Sequence, residues 1–453
     1  MTEVHPRSAV GRDSGTPLSL AALLAGTLVG TVSNNVVNVP LNGILDEFDA
    51  PLGSGVFVVT GFLLALAATI PLAGWFGDRF GRRRVYCAAL LGTAICAIGA
   101  ATAPSLPLLI AWRCLGGIAA AAFAPAAMGL ISWMFTAERR GRAIGAWASV
   151  NGIGQAVGPS MGGVVADAWG WRWVFVPLVP VALAGFVGAV RHIPPYPGTK
   201  MRFDLAGALA LTFGTACLVL ALGLISQPGV AIWVVAGTAA AAVAALAWFT
   251  WHCARVEEPF VDVRLVRESR FARSCLAAFA QMFCLGATLL AIPLYLIGDG
   301  GSASVTGVVL FVVPATMALL GPLVGHWLDR LRPRRVLRTG LAVLFVAQIA
   351  LAIALAQSGT ALVVLIPILV VNGIGIALVQ TPAATGATRS PAGAQGTGLG
   401  LFNLIRFGGS AVGAAWVAVA LGFSAYPTVF VASAVIVALG QVGSFVGPDP
   451  ERT

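Results

Sequence analysis

Gly74-Trp-Phe-Gly-Asp78-Arg79-Phe-Gly-Arg-Arg83-Arg84-Val85 ends one long apolar run of the chain, and Gly325-His-Trp-Leu-Asp329-Arg330-Leu-Arg-Pro-Arg334-Arg335-Val336 ends another. Six of these twelve positions are identical (Gly, Asp, Arg, Arg, Arg, Val) at an offset of 251 residues. A charged turn that returns together with its flanking apolar runs marks an internal repeat. Each copy joins the end of one apolar segment to the start of the next, so the two halves of the chain follow one plan.

The runs between these turns decide the class. Of the 453 residues, 58% are hydrophobic and 10% charged, against about 25% charged in an ordinary soluble domain. That composition excludes a water-soluble globule. Crossing a bilayer core takes about 20 mostly apolar residues per helix. Fourteen apolar runs begin near Leu18, Ser54, Val85, Pro107, Ile144, Trp173, Leu205, Val230, Ser274, Val305, Val336, Leu362, Leu399 and Tyr426. With spans 1 to 6 as one half and 9 to 14 as the other, each copy of the turn follows the second span of its half. The expectation is an all-α polytopic membrane protein with a tail over 1–17, a six-helix bundle over 18–191 and a linker carrying an inserted two-helix hairpin over 192–273. A second six-helix bundle over 274–447 and a tail over 448–453 complete it. Internal repeats of this kind are the usual architecture of secondary transporters. The first seventeen residues lack the features of a signal peptide, so the first run is expected to remain as a helix.

The formal charge is +10, from 27 Lys and Arg against 17 Asp and Glu. On a soluble chain such an excess points to nucleic acid; here it sorts by side. With both termini in the cytoplasm, Arg172 is the one basic residue left to an outer loop, and Arg113 and Arg406 fall inside spans. All the others go to cytoplasmic loops, tails and helix ends, as the positive-inside rule requires. No nucleic-acid partner is expected. The seven cysteines have no metal-ligand or disulfide-framework spacing and read as packing residues, so no cofactor is expected.

Several stretches resemble the major facilitator superfamily, in its fourteen-helix drug:proton antiporter branch. Gly74 to Arg84 is similar to the signature between helices 2 and 3, and Leu108-Leu-Ile-Ala-Trp-Arg113-Cys-Leu-Gly116-Gly117 to the fourth-helix motif. Gly154-Gln-Ala-Val-Gly158-Pro159-Ser-Met-Gly162-Gly163 is similar to the fifth-helix motif of exporters. Trp169-Gly-Trp-Arg-Trp173-Val-Phe and Glu258-Pro-Phe-Val-Asp-Val-Arg-Leu look like branch-specific loops. The resemblance implies the major facilitator fold and alternating access. It also implies that Asp78, and by symmetry Asp329, latch one bundle to the other on the cytoplasmic side, with Gly74, Arg79, Arg83 and Arg330 in the same turns. Gly158 and Gly162 allow close helix approach and Pro159 adds a bend, which the resemblance reads as a hinge. Gly158-Pro-Ser160-Met-Gly162 also fits a nucleophile elbow, but that elbow follows a strand, and this segment lies inside an apolar helix.

Polar residues within spans mark the expected substrate site. An arginine at depth costs about 2.5–3.5 kcal/mol even on an insertion scale, which makes Arg113 and Arg406 functional candidates. Asn34 and Asn38 are four apart on the first span and share a helical face, with Asn35 beside them; Asn151 and Gln155 repeat the spacing on the fifth. Gln281, Asn372, Gln380 and Asn403 are the counterparts expected in the other half. No Asp or Glu falls in the middle of a span, although proton-coupled pumps generally carry a titrating group at depth. Many members of the resembled branch have an aspartate in the first helix, and that place here is held by Ser33. Buried arginine without buried carboxylate repels cations, so a neutral or anionic substrate is expected. Proton coupling would fall to Asp46, Glu47, Asp49, the latch acids or His326.

The expected function is export of a small amphipathic compound by a monomeric, non-enzymatic transporter of a bacterial cytoplasmic membrane, coupled to protons. An excess of Arg over Lys of 26 to 1 favours a GC-rich bacterial source. A facilitator or importer of an anionic metabolite, and a non-transporting receptor or scaffold on the same fold, are the alternatives.

Overall fold

The computed structural model describes residues 14–50, 52–195, 197–199, 203–225, 230–298, 303–356, 360–423 and 426–447. Among these the chain is helical, without strands. In order the helices are α1 (Pro17–Asn35), α2 (Leu41–Glu47), α3 (Leu52–Phe80), α4 (Arg82–Ala101), α5 (Leu106–Ala120), α6 (Phe123–Met134), α7 (Ala137–Trp169), α8 (Leu178–His192) and α9 (Leu205–Ile225). They continue as α10 (Ile232–Arg255), α11 (Val263–Val266), α12 (Ser269–Gly298), α13 (Ala303–Arg330), α14 (Pro333–Ala354), α15 (Leu362–Arg389), α16 (Gly396–Phe423) and α17 (Tyr426–Gly443). Every expected run start has a helix beginning within a turn or two of it. The 251-residue offset lays α1 on α12, α3 on α13, α4 on α14, α7 on α16 and α8 on α17.

Local chemistry sets the ends. Thr16 and Ser19 cap α1 reciprocally, each side chain accepting the other's backbone N–H, and Pro17 supplies the fixed φ of a first helical residue. The turn between α3 and α4 is the single residue Gly81, at φ 96°, a conformation that favours glycine. Asp78 and Arg79 therefore sit in the last turn of α3 and not in a loop. The fourth span is two helices, because Pro125 offers no N–H to the carbonyl of Ala121 and the ladder breaks there.

Among the described residues, thirteen helical segments are long and apolar enough to cross a membrane, α5 with α6 counting as one. The 33-residue α7 is long enough but less apolar, since Asn151, Gln155 and a row of glycines interrupt it. It packs between α1 and α13, and protein-lined backbone tolerates polarity that lipid does not. The outward faces are apolar, with Trp233 74% and Ile353 66% exposed, which is the surface a hydrocarbon solvent demands.

Helices α1, α3 to α6 and α8 pack mainly among themselves, as do α12 and α14 to α17, while α7 and α13 pack mainly on each other. In the first group the Tyr86 hydroxyl of α4 donates to Leu23 O (2.7 Å) and accepts from Gly26 N (3.0 Å), tying α4 to α1. The hairpin α9–α10 leans on α3 and α16, with Trp75 against Phe203 at 4.4 Å. Asp204 caps α9 through Gly207 N (2.9 Å) and holds His252 (2.9 Å) and Phe260 N (3.0 Å). The two groups meet along α7–α13 and α3–α16.

Candidate functional site

With no hydrophobic drive between helices in lipid, close contact depends on small residues, and both seams are closed by glycine. A Cβ on Gly74 would lie 2.1 Å from Gly396 O, and one on Gly396 2.3 Å from Gly74 O. Shifting this pair by 251 residues gives Gly325 and Gly145, where a Cβ on Gly145 would lie 2.9 Å from Gly325 Cα. The next contact obeys the same offset: a Cβ on Gly400 would meet Ile70 O at 3.0 Å, and one on Gly321 would meet Ser149 Oγ at 2.2 Å. The repeat read from the turns thus extends to the contacts between bundles, with partners exchanged. Both seams lie at the face that carries the arginine-rich turns.

Asp78 sits on the α3–α16 seam. Its Oδ2 accepts from Gly396 N at the start of α16, and its Oδ1 accepts from Arg82 Nε (3.2 Å) and Nη2 (3.0 Å). Arg82 Nη2 also donates to Ala394 O at 3.0 Å, so the pair spans both bundles. Both side chains are buried. Thr199 of the linker donates from N to Asp78 O at 2.8 Å. Arg83 instead bonds Val190 O within the first bundle, and Arg79 is half-buried. Asp329 and Arg330 end α13 at the corresponding place; their side chains lie outside the described residues.

The two buried arginines differ. Arg113 donates from Nε to Val58 O (3.0 Å) and from Nη1 to Ser33 O (2.6 Å), over the Phe62 ring at 4.5 Å. It ties α5 to α1 and α3 inside the first bundle. Arg406, 1% exposed, has no hydrogen-bond partner for Nε, Nη1 or Nη2 among the described residues. Its guanidinium lies 5.0 Å from the ring of Trp147 on α7, across the seam, and 4.5 Å from that of Phe407.

The amides scatter. Asn38 is a correction: α1 ends at Asn35, with Pro40 shortly beyond, so Asn38 sits in an exposed turn and shares no helical face with Asn34. Asn35 and Asn151 bond backwards to Thr31 O (2.8 Å) and Trp147 O (2.9 Å) on their own helices. Asn34 and Gln155 are half-buried. Asn372 joins a chain within the second group, accepting from Gln348 (2.9 Å) and donating to Thr288 (3.3 Å). Gln281 and Gln380 are buried without a partner among the described residues. Asn403 bonds Leu399 O (2.9 Å) and Met128 Sδ (3.3 Å), the latter on the other bundle. Gly158 and Gly162 face Asn35 and Val36 of α1, so this part of the glycine row closes a seam within the first bundle, and α7 runs unbroken through Pro159.

At the opposite face Arg172 pairs with Glu47, whose other oxygen accepts from Trp171 Nε1 at 2.6 Å. The Arg172 guanidinium holds the Glu47 carboxyl below its usual range, aided by Trp171 and opposed by slight burial. Sequence reasoning missed Arg82, Trp147 and Gln348. Arg82 was legible only as the i+4 partner of Asp78.

A repeated pair of helical bundles with apolar outer faces, closed on each other along two related seams, defines a membrane transporter fold. The Major Facilitator Superfamily model matches residues 19–414, and the chain belongs to that family. It is 30% identical over 406 residues to Multidrug resistance protein Stp of Mycobacterium tuberculosis, covering 87% of this chain and 74% of the relative. It is 29% identical over 328 residues to the Tetracenomycin C resistance and export protein of Streptomyces glaucescens, covering 71% and 61%. In fold it is similar to the human organic anion transporter MFSD10 (TM-score 0.67, 15% identity, 95% and 100% covered). The proton:xylose symporter XylE is alike to the same degree (TM-score 0.65, 14% identity, 94% of each chain covered).

Proposed function

We propose that this transporter exports a small amphipathic, neutral or anionic compound from a bacterial cytoplasm by alternating access, in exchange for protons. The observation that carries the reading is the pair of reciprocal glycine seams, a closure at one end that the repeat makes on both sides, with the Asp78–Arg82–Gly396 contact on the α3–α16 seam. Two relatives named for multidrug resistance and for export favour outward movement. In this reading the arginine-rich face is cytoplasmic, as the positive-inside rule asks, and both termini lie there. Residues 18–191 and 274–447 form the moving bundles, and 192–273 contributes α9 and α10 for fourteen spans, α7 included. The protein acts as a monomer in the plasma membrane. Asp78 and Asp329, with Gly74, Arg79, Arg83 and Arg330, hold the cytoplasmic gate; Asn34, Gln155, Asn403 and Arg406 border the substrate path.

Everted vesicles test this. Accumulation of a labelled compound should fail when the pH gradient alone is collapsed. Accumulation that survives would favour a facilitator, the second reading, which the lack of a mid-span acid supports. A protein that binds compounds and moves none of them would refute transport.

A further inference from the structure

We propose that Arg406 is the anion-recognition point of the substrate path and that the transported class is an organic anion with an apolar or aromatic body. This rests on the transporter reading and names its substrate. Arg406 lies ten residues into α16 and Trp147 ten residues into α7, so both sit roughly 15 Å from the arginine-rich end of their helices. On α16 that depth is six residues past Gly400, the deepest glycine of the α3–α16 seam, while on α7 Trp147 lies within the α7–α13 seam, which continues to Gly152 against Pro314 O.

Two features separate Arg406 from a structural arginine. Its guanidinium is buried and none of its nitrogens finds an acceptor among the described residues, whereas Arg113 is tied to two carbonyls. An arginine held for packing is normally satisfied in this second way, because a buried charge without a partner is strongly disfavoured. The rings of Trp147 and Phe407 offset part of that through cation–π attraction, and an oxyanion would complete it. Next, the indole Nε1 of Trp147 is itself a buried donor with no acceptor among the described residues, on the other bundle from Arg406. Two unused donors meet across the seam, one presenting the planar fork that matches carboxylate, sulfonate or phosphate. The offset that relates the seams puts Gln155 opposite Arg406 and Val364 opposite Arg113, so neither buried arginine is imposed by the repeat.

The test uses the full-length protein purified in detergent and three probes on one ring system: 1-naphthoate, 1-naphthalenesulfonate and 1-naphthamide. The two anions should raise the melting temperature and the neutral amide should not at equal concentration. Arg406→Gln should weaken the anion response by about 10- to 100-fold, the worth of a hydrogen bond to a charged group, while raising the melting temperature of the unliganded protein. Arg406→Lys should keep part of the response and guards against a glutamine variant that misfolds. Arg113→Gln should lower the melting temperature yet retain the anion response. No anion response in the wild type, an equal response to the amide, or a full response in Arg406→Gln overturns the proposal. Flux of labelled 1-naphthoate in proteoliposomes separates the two readings. An Arg406-dependent thermal response without flux of any probe refutes transport and leaves the anion site. Flux of the amide with no anion response refutes the site and leaves transport.

Discussion

Gly74→Ala should open the gate at the arginine-rich face. The added Cβ would meet Gly396 O at 2.1 Å and Gly396 C at 2.6 Å, backbone atoms that cannot rotate aside, whereas ordinary contact begins at 3.4 Å. Helices α3 and α16 must part by about 1 Å, and overpacking of this kind costs about 1–3 kcal/mol. Under alternating access the open conformation has no such contact, so the cost falls on the closed one. That shifts the closed-to-open ratio by about 5- to 150-fold, and the bond from Gly396 N to Asp78 lengthens in the same direction. A cysteine placed at Thr397, 1% exposed beside the seam, reports the change through a membrane-impermeant maleimide added to everted vesicles. Labelling is measured against the same chain without that cysteine, because Cys87, Cys114 and Cys217 are only half-buried. Gly408→Ala is the control, since a Cβ added there would have nothing within 4 Å. Labelling unchanged by Gly74→Ala, or raised as much by Gly408→Ala, would refute a gate held shut by this contact.

Arg82→Gln should expose the same cysteine, because breaking a buried ion pair costs about 3–5 kcal/mol; Arg82→Lys should restore protection only in part, since an ammonium can replace Nη2, which serves both Asp78 and Ala394 O, but not the second bond that Nε gives Asp78. Arg113→Met should lower the melting temperature by an amount corresponding to about 1–3 kcal/mol, as carbonyl partners on two helices lose their donor. Glu47 has its pKa held below the ordinary value, so the Arg172 pair contributes stability above the ordinary carboxylate range and loses it only as pH falls through the lowered value. Glu47→Gln should therefore leave the pH dependence of flux between about pH 6 and 8 unchanged, and a changed profile would return Glu47 to the proton path. For Asp204, burial raises the pKa, but the bonds from Gly207 N, His252 and Phe260 N outweigh it and hold the carboxyl low. Asp204→Asn should speed backbone hydrogen exchange at the start of α9 without changing it in α1 or α12.

Most of the frame was legible because lipid imposes it. Apolar runs of the required length must become helices, and the arginines at their ends mark one face. Legibility failed where a residue's role depends on what a distant helix brings to it. Arg82 reads as one more topogenic charge in Arg82-Arg83-Arg84, and only burial beside Asp78 and Ala394 O sets it apart from its neighbours. Asn34 and Asn38 looked like one face because spacing assumes an unbroken helix, which ends at Asn35. Arg113 and Arg406 are equivalent as single charges in apolar runs. What divides them is the carbonyls of Ser33 and Val58 within reach of the first and the indole of Trp147 beside the second.

The division between shared and single features follows the repeat. Closing one end of a two-bundle protein needs the same contact twice, once on each seam, and the Gly74–Gly396 and Gly325–Gly145 pairs are related by the offset that relates the turns. Recognising an asymmetric molecule between the bundles cannot be done symmetrically. Some buried groups change character between the halves: Arg406 stands against the uncharged Gln155, Gln348 against Ala97, and Thr288 against Val37. Gln348 and Thr288 lie in a hydrogen-bonded chain inside the second bundle and hold its helices together. Of the three, Arg406 alone carries a charge, faces the other bundle and lacks an acceptor among the described residues. A group with those properties gains more from a ligand's oxyanion than from any packing the repeat provides, and its depth in α16 places it one step beyond the gate that must open to admit that ligand from the arginine-rich face.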